Sequence, residues 1–252
     1  MLPASRFFPL AAAAVLASSF SWAWSPETRI GMADDAIKLM PASLRLALET
    51  NRQAVLRGML GPMVEEDSPE HRAPWAGGTL DERLAAEADA LIADLGRRTP
   101  FEDLSERFGR LSHFVMDASF PPGVSDTDGD GRYADFAAFC ESRRRKFPLV
   151  FYGHEDDALD DDDFREFALR VMNRARSEDR QLASVYGRAG DPPNPAAFDD
   201  RSIPFAVGSL SYSRCVTDIV RAWLAAWRIA GGDMGRTPYL EPPVDESTSG
   251  GP

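Results

Sequence analysis

The chain has 252 residues, 44% hydrophobic and 27% charged, a globular composition long enough for one domain with a substantial core. Lys and Arg total 28 against 40 Asp and Glu; the formal charge of −12 excludes a net basic surface for duplex DNA or an anionic membrane. Three histidines (His71, His113, His154) and two cysteines (Cys140, Cys215) bound every metal or thiol hypothesis in advance.

Residues 1–23 read as a signal peptide. Arg6 supplies the positive start, Leu10 to Ala17 the apolar stretch, and Ser21-Trp22-Ala23 the small residues of a cleavage site. Cleavage leaves Trp24 as the new N-terminus and, by removing Arg6 and no acid, takes the charge from −12 to −13. The apolar run falls short of the roughly 20 residues a membrane span needs, so an exported chain without a transmembrane segment is expected, periplasmic or extracellular and monomeric. Export permits a disulfide between Cys140 and Cys215, the alternative being two buried free thiols.

The mature chain reads as helical almost throughout, with no alternating run that demands a sheet, so the expectation is a single all-α domain over 24–237. Ser25-Pro26 opens the first helix as cap and first helical residue. Thr79 with Glu82 and Thr99 with Glu102 fit the capping box and open helices over 80–96 and 100–118. Further helices are expected near 132–146, 161–187 and 209–230, the last carrying Trp223 and Trp227 on one core-facing side. Loops fall at 61–78, 119–131 and the proline-rich 189–208. From Pro238 the chain is rich in Pro, Gly, Ser and acid and reads as a disordered tail over 238–252. The acid-rich run 155–163 reads as a solvated turn and helix start, and Arg143 to Lys146 as a basic surface at a helix end.

His113 and Asp117 lie four apart on a predicted helix, so an imidazole and a carboxylate share one face and can bind one zinc. Without a metal the same pair makes a helical hydrogen bond. The segment from Asp126 through Asp128 and Asp130 to Gly131 places carboxylates at alternate positions before a glycine, the pattern of a calcium loop, although Ala137 stands where an EF-hand carries its twelfth-position glutamate. Otherwise it is a solvated acidic loop.

An N-terminal tryptophan exposed by cleavage, the segment Trp24-Ser-Pro-Glu-Thr-Arg29, and a helix bearing Leu-Ser-His113-Phe-Val-Met-Asp117-Ala-Ser-Phe-Pro121 together resemble the zinc-dependent phospholipase C and single-strand nuclease superfamily. The resemblance implies an all-helical fold and a three-zinc cluster. Its ligands would be histidines, aspartates, a glutamate, and the amine and carbonyl of the terminal tryptophan; the cluster activates water against phosphodiesters. On this resemblance Trp24, His71, His113 and Asp117 take ligand places. Asp67, or Glu65 or Glu66, stands in for an aspartate that Met63 replaces after the Gly58-Met-Leu-Gly-Pro62 turn. Asp67 and His71 are themselves four apart.

The chain departs from that pattern in several places. Arg29 stands where a histidine follows the tryptophan, and neither histidine nor glutamate is in register over Asp130 to Phe136. A guanidinium cannot ligate a metal and pairs with a carboxylate instead, unless Arg29 faces solvent from the first helical turn. A full trinuclear site is excluded by the histidine count. The expected function is a zinc-dependent phosphodiesterase acting on a phospholipid headgroup or nucleic acid through one or two ions, with Asp67 and Asp117 as the acids that orient water. The alternatives are a non-catalytic binding or structural protein, and a calcium-dependent interaction protein using the 126–130 loop.

Overall fold

Serine before proline is a strong local start signal, and Ser25 acts on it: its Oγ accepts from the Thr28 N–H at 3.3 Å, with Pro26 in the first turn of α1 (Pro26–Lys38). The computed structural model describes residues 23–65, 67–125, 132–186 and 198–240. Pro41 ends the first turn of chain after α1 and sets off α2 (Ala42–Thr50), which passes through Asn51 into α3 (Arg52–Leu60). Three short 3₁₀ turns, Gly61–Glu65, Pro69–His71 and Pro74–Ala76, carry the chain to α4 (Leu80–Leu95) and α5 (Phe101–Ala118). Another 3₁₀ turn (Pro121–Val124) precedes α6 (Arg132–Arg143); α7 (Asp157–Asp160), α8 (Phe164–Ala183) and α9 (Ile203–Ile229) complete the order. Among the described residues there is no strand, so the all-α expectation holds, and none of these helices is long and apolar enough to cross a membrane.

The core forms around α5. From Leu111 to Ala118 every residue of α5 is buried, because α3, α4, α8 and α9 pack on its several sides. Two glycines set the closest of these crossings: a Cβ on Gly58 would lie 1.9 Å from the Glu106 carbonyl oxygen, and one on Gly109 would lie 2.1 Å from that of Val55. At this separation the end of α3 lies directly against His113. On the opposite side Trp223 of α9 is fully buried and its Nε1 donates to the Phe108 carbonyl at 2.9 Å, while Trp227 packs edge-on to Phe101 at the margin of the core.

Several boundaries differ from the expected ones for local reasons. Neither capping box forms: Thr79 precedes α4 and Pro100 precedes α5 without a side-chain cap bond. The 132–146 helix ends at Arg143 in a 3₁₀ turn, and the helix expected over 161–187 runs as α8 from Phe164 to Ala183, separated at Asp162, whose φ is +59°, from the short α7 that precedes it. The acids there do more than solvate, since Asp156 caps α7 and Asp163 caps α8. α9 begins six residues before the predicted 209 because Pro204 serves as a first-turn residue behind the Ser202 cap, not as a loop proline. Cys140 and Cys215 are buried free thiols, not a disulfide. Cys140 Sγ lies against Gly208, seven residues and so about 10 Å of helix away from Cys215. Burial pushes the Cys215 thiol up to about 12 and raises Cys140 well above the usual thiol range, so neither is a nucleophile at neutral pH. Pro238, placed in the tail by composition, has its carbonyl bonded to His154 Nε2 at 2.7 Å; the rest of the tail after Leu240, and residues 1–22 of the segment expected to be a signal peptide, lie outside the described residues.

Candidate metal centre

Helical spacing aligns His113 and Asp117 on α5, and the loop after α3 brings His71 to them. That loop is pinned by its own backbone: Ser68 Oγ caps the Pro69–His71 turn, the Thr79 N–H donates to the Pro69 carbonyl at 2.8 Å, and the Leu80 N–H to that of Arg72 at 3.1 Å. The imidazole of His71 thereby stands edge-on to that of His113, with centroids 5.1 Å apart, and against the Phe114 ring, on whose face the Arg83 guanidinium also sits at 5.2 Å. His71 Nδ1 is 2.7 Å from Asp117 Oδ2, His113 Nε2 is 3.1 Å from the same oxygen, and the two nitrogens are 3.3 Å apart. The three side chains are 6%, 0% and 4% exposed for His71, His113 and Asp117.

The protonation of His113 follows from its neighbour. Its Nδ1 lies 2.7 Å from the Met59 carbonyl, which can only accept, and 3.2 Å from Arg29 Nη1, which can only donate; the shorter contact assigns the proton to Nδ1, and the neutral ring then presents a bare Nε2. Burial, with help from the Arg29 charge, moves His113 below the usual histidine range and keeps it neutral, although Asp117 and Met59 pull the other way. Burial alone would raise the Asp117 carboxyl, but the Arg29 guanidinium bonded to Oδ1 and the His71 nitrogen beside Oδ2 hold it well below the usual carboxylate range. A lone pair on His113 and a carboxylate oxygen therefore face each other with the His71 nitrogen beside them. Such an arrangement calls for a cation or a shared proton between them. Zinc bonds of about 2.05 Å place tetrahedral ligands about 3.3 Å apart, near the spacing of these three atoms, and the carbonyl behind His113 is the support that a metal-bound imidazole takes. The donor set fits a borderline-soft divalent ion, and these residues can hold one metal.

Arg29 occupies the other side of Asp117. It is fully buried: Nε donates to the Trp24 carbonyl at 3.0 Å, Nη2 to Asp117 Oδ1 at 2.5 Å, and Nη1 to the His113 carbonyl at 3.4 Å. Of the two places open to Arg29, solvent is thus not the one taken. Trp24 is also fully buried, its Nε1 donating to Ser119 Oγ at 3.4 Å, but its carbonyl, expected on a metal, is on Arg29. Asp67 is not brought to the cluster. It is exposed, and the 67–71 segment is a cap followed by a 3₁₀ turn, where a spacing of four does not put two side chains on one face. Met63 is buried beside the same loop. Glu65 is exposed, whereas Glu66 and the calcium candidates Asp126, Asp128 and Asp130 lie outside the described residues.

Sequence reasoning missed the Met59 carbonyl, which no side-chain motif announces, and the Trp24 and His113 carbonyls that receive Arg29. One available signal was the position of Arg29 within the apolar face of α1, three and four residues before Met32 and Ala33. The chain matches no protein-family model, no curated protein and no solved structure.

Proposed function

We propose that the chain is an exported phosphoric-diester hydrolase working through one metal ion, zinc by donor chemistry, held by His71, His113 and Asp117. The convergence of three atoms of metal-ligand type within 3.3 Å of one another, with the His113 tautomer fixed by Met59, is the observation that carries this reading. Three protein ligands leave a fourth position for water or a phosphoryl oxygen, the arrangement of catalytic rather than closed zinc sites. Bound there, the ion would lower the pKa of a water toward 7 and polarise a phosphoryl oxygen. The protein's own part is electrostatic: Arg29 offsets the charge of Asp117, so a divalent ion would leave the centre about two charges positive and receptive to a phosphodiester anion. Asp117, kept ionised by Arg29, holds its Oδ2 toward the two imidazoles and is the acid placed to orient a water.

The test joins elemental analysis of the purified mature chain with hydrolysis of bis-p-nitrophenyl phosphate. About one zinc per chain is expected, and His113→Ala should lose both the ion and at least roughly 100-fold of the activity. A wild-type chain free of transition metal overturns the reading. The near-complete burial of all three ligands favours a second one, a closed metal centre that only stabilises an exported binding or structural protein. One zinc per chain without hydrolysis selects it. Bound calcium in the same analysis would instead support an interaction protein built on the 126–130 loop.

A further inference from the structure

Arg29 is surrounded as a metal cation would be. Three oxygens, the Trp24 carbonyl, the His113 carbonyl and Asp117 Oδ1, converge on a guanidinium with no exposed surface, whose Nη1 also lies 3.2 Å from His113 Nδ1. Two carbonyls and a carboxylate are the ligand type of a cation site, and burying them together without a positive charge leaves a carboxylate oxygen and carbonyl lone pairs facing one another. A guanidinium answers that need with N–H donors fixed in a plane and a charge that does not titrate away. Asp117 is then shared: Oδ1 faces Arg29 and Oδ2 faces His71 and His113.

We infer that Arg29 is a built-in cation that fills a second cation place beside the His71, His113 and Asp117 cluster, and so sets the number of ions the centre accepts. The permanent charge on Oδ1 repels any further ion, while the covalent tether holds the oxygens together before one arrives. This inference concerns the change in ion count when Arg29 is replaced. It therefore stands or falls separately from the hydrolase reading above, on which only the identity of the neighbouring ion rests.

The mature protein, as wild type, Arg29→His and Arg29→Lys, is dialysed against zinc and its bound metal counted by elemental analysis. Arg29→His, which removes the fixed charge and adds a ligand nitrogen, should bind one zinc more per chain than wild type, whatever number the wild type holds. Arg29→Lys, which keeps the charge, should bind the wild-type number. Where the wild type holds one ion, cobalt(II) in place of zinc should give Arg29→His the weakened paramagnetic resonance of two ions coupled through the Asp117 carboxylate. Equal counts in Arg29→His and wild type, or an extra ion in Arg29→Lys, overturn the inference. Because a buried substitution can weaken folding, Arg29→Ala gives a second readout. Millimolar guanidinium ion should raise its melting midpoint by several degrees and leave that of wild type unchanged, since only the variant has an oxygen-lined hole for it. A midpoint in Arg29→Ala that ignores guanidinium speaks against the cation place as well.

Discussion

At the centre of the molecule two residues of opposite charge, Arg29 and Asp117, are removed from water together, with side chains 0% and 4% exposed. A buried pair of this kind adds little net stability as a pair, yet removing one member strands the other in a low-dielectric interior. Asp117→Asn should therefore destabilise the metal-free fold by about 3–5 kcal/mol in urea denaturation, since Arg29 keeps its charge and loses the carboxylate to which its Nη2 donates. Asp67→Asn, on an exposed side chain, should stay within about 0.5 kcal/mol of wild type. A large effect at Asp67 would return that residue to the site. The contrast also shows what a sequence can carry at this scale. His113 and Asp117 are legible because helical spacing alone aligns them, and Asp67 misleads because the same spacing in a capped 3₁₀ turn means nothing. The burial of Arg29 is invisible to periodicity, which scores arginine as surface, and Met59 acts through a carbonyl that any residue would carry.

The element that makes the site possible is the crossing of α3 over α5. Gly58 and Gly109 let the two backbones meet, and that contact delivers the Met59 carbonyl to His113 Nδ1. Gly109→Ala would place a methyl 2.1 Å from the Val55 carbonyl oxygen, an overlap that only separation of the helices relieves. The expected result is a loss of about 2–3 kcal/mol or more in chemical denaturation, although alanine is the better helix former by about 1 kcal/mol. A second consequence is specific to the site: the Met59 carbonyl withdraws, His113 loses the bond that fixes its tautomer, and zinc affinity falls by roughly 10- to 100-fold. An alanine variant with unchanged stability and unchanged affinity would contradict the close crossing. The helices themselves were largely legible, because apolar periodicity and the Ser25-Pro26 start are local signals. Their ends were less so. Pro204 extends α9 where proline content suggested a loop, and the helix expected from 161 starts only at Phe164, behind the Asp163 cap, because Asp162 takes a positive φ.

Over the whole molecule the acidic excess is handled by pairing carboxylates with arginines across helices, and one of these pairings reaches deep into the core. Asp218 of α9 is 1% exposed, takes a hydrogen bond from Arg174 of α8, and lies 3.8 Å from Arg221. Arg221 in turn donates to the carbonyls of Gly153 and Tyr152 and approaches Asp156 at 3.8 Å, tying the segment before α7 onto α9. Burial pushes the Asp218 carboxyl up to about 6 from 3.8, more than the two arginines pull it down. A group whose pKa is raised by folding binds its proton more tightly in the native state, so its contribution is fully present below pH 4 and is lost as the pH rises through about 6. Moving the carboxyl from 3.8 to about 6 corresponds to roughly 3 kcal/mol. Asp218→Asn mimics the protonated form and does not titrate. The gap in unfolding free energy between this variant and wild type should therefore move by about 3 kcal/mol in favour of the variant between about pH 4 and pH 7, whatever its sign at the acid end. Urea titrations of both proteins at four or five pH values read that gap directly, and carboxylates common to the two chains cancel in the difference. A gap independent of pH would mean that Asp218 keeps an ordinary carboxylate pKa inside the fold, and that Arg174 and Arg221 fully offset the burial of its charge.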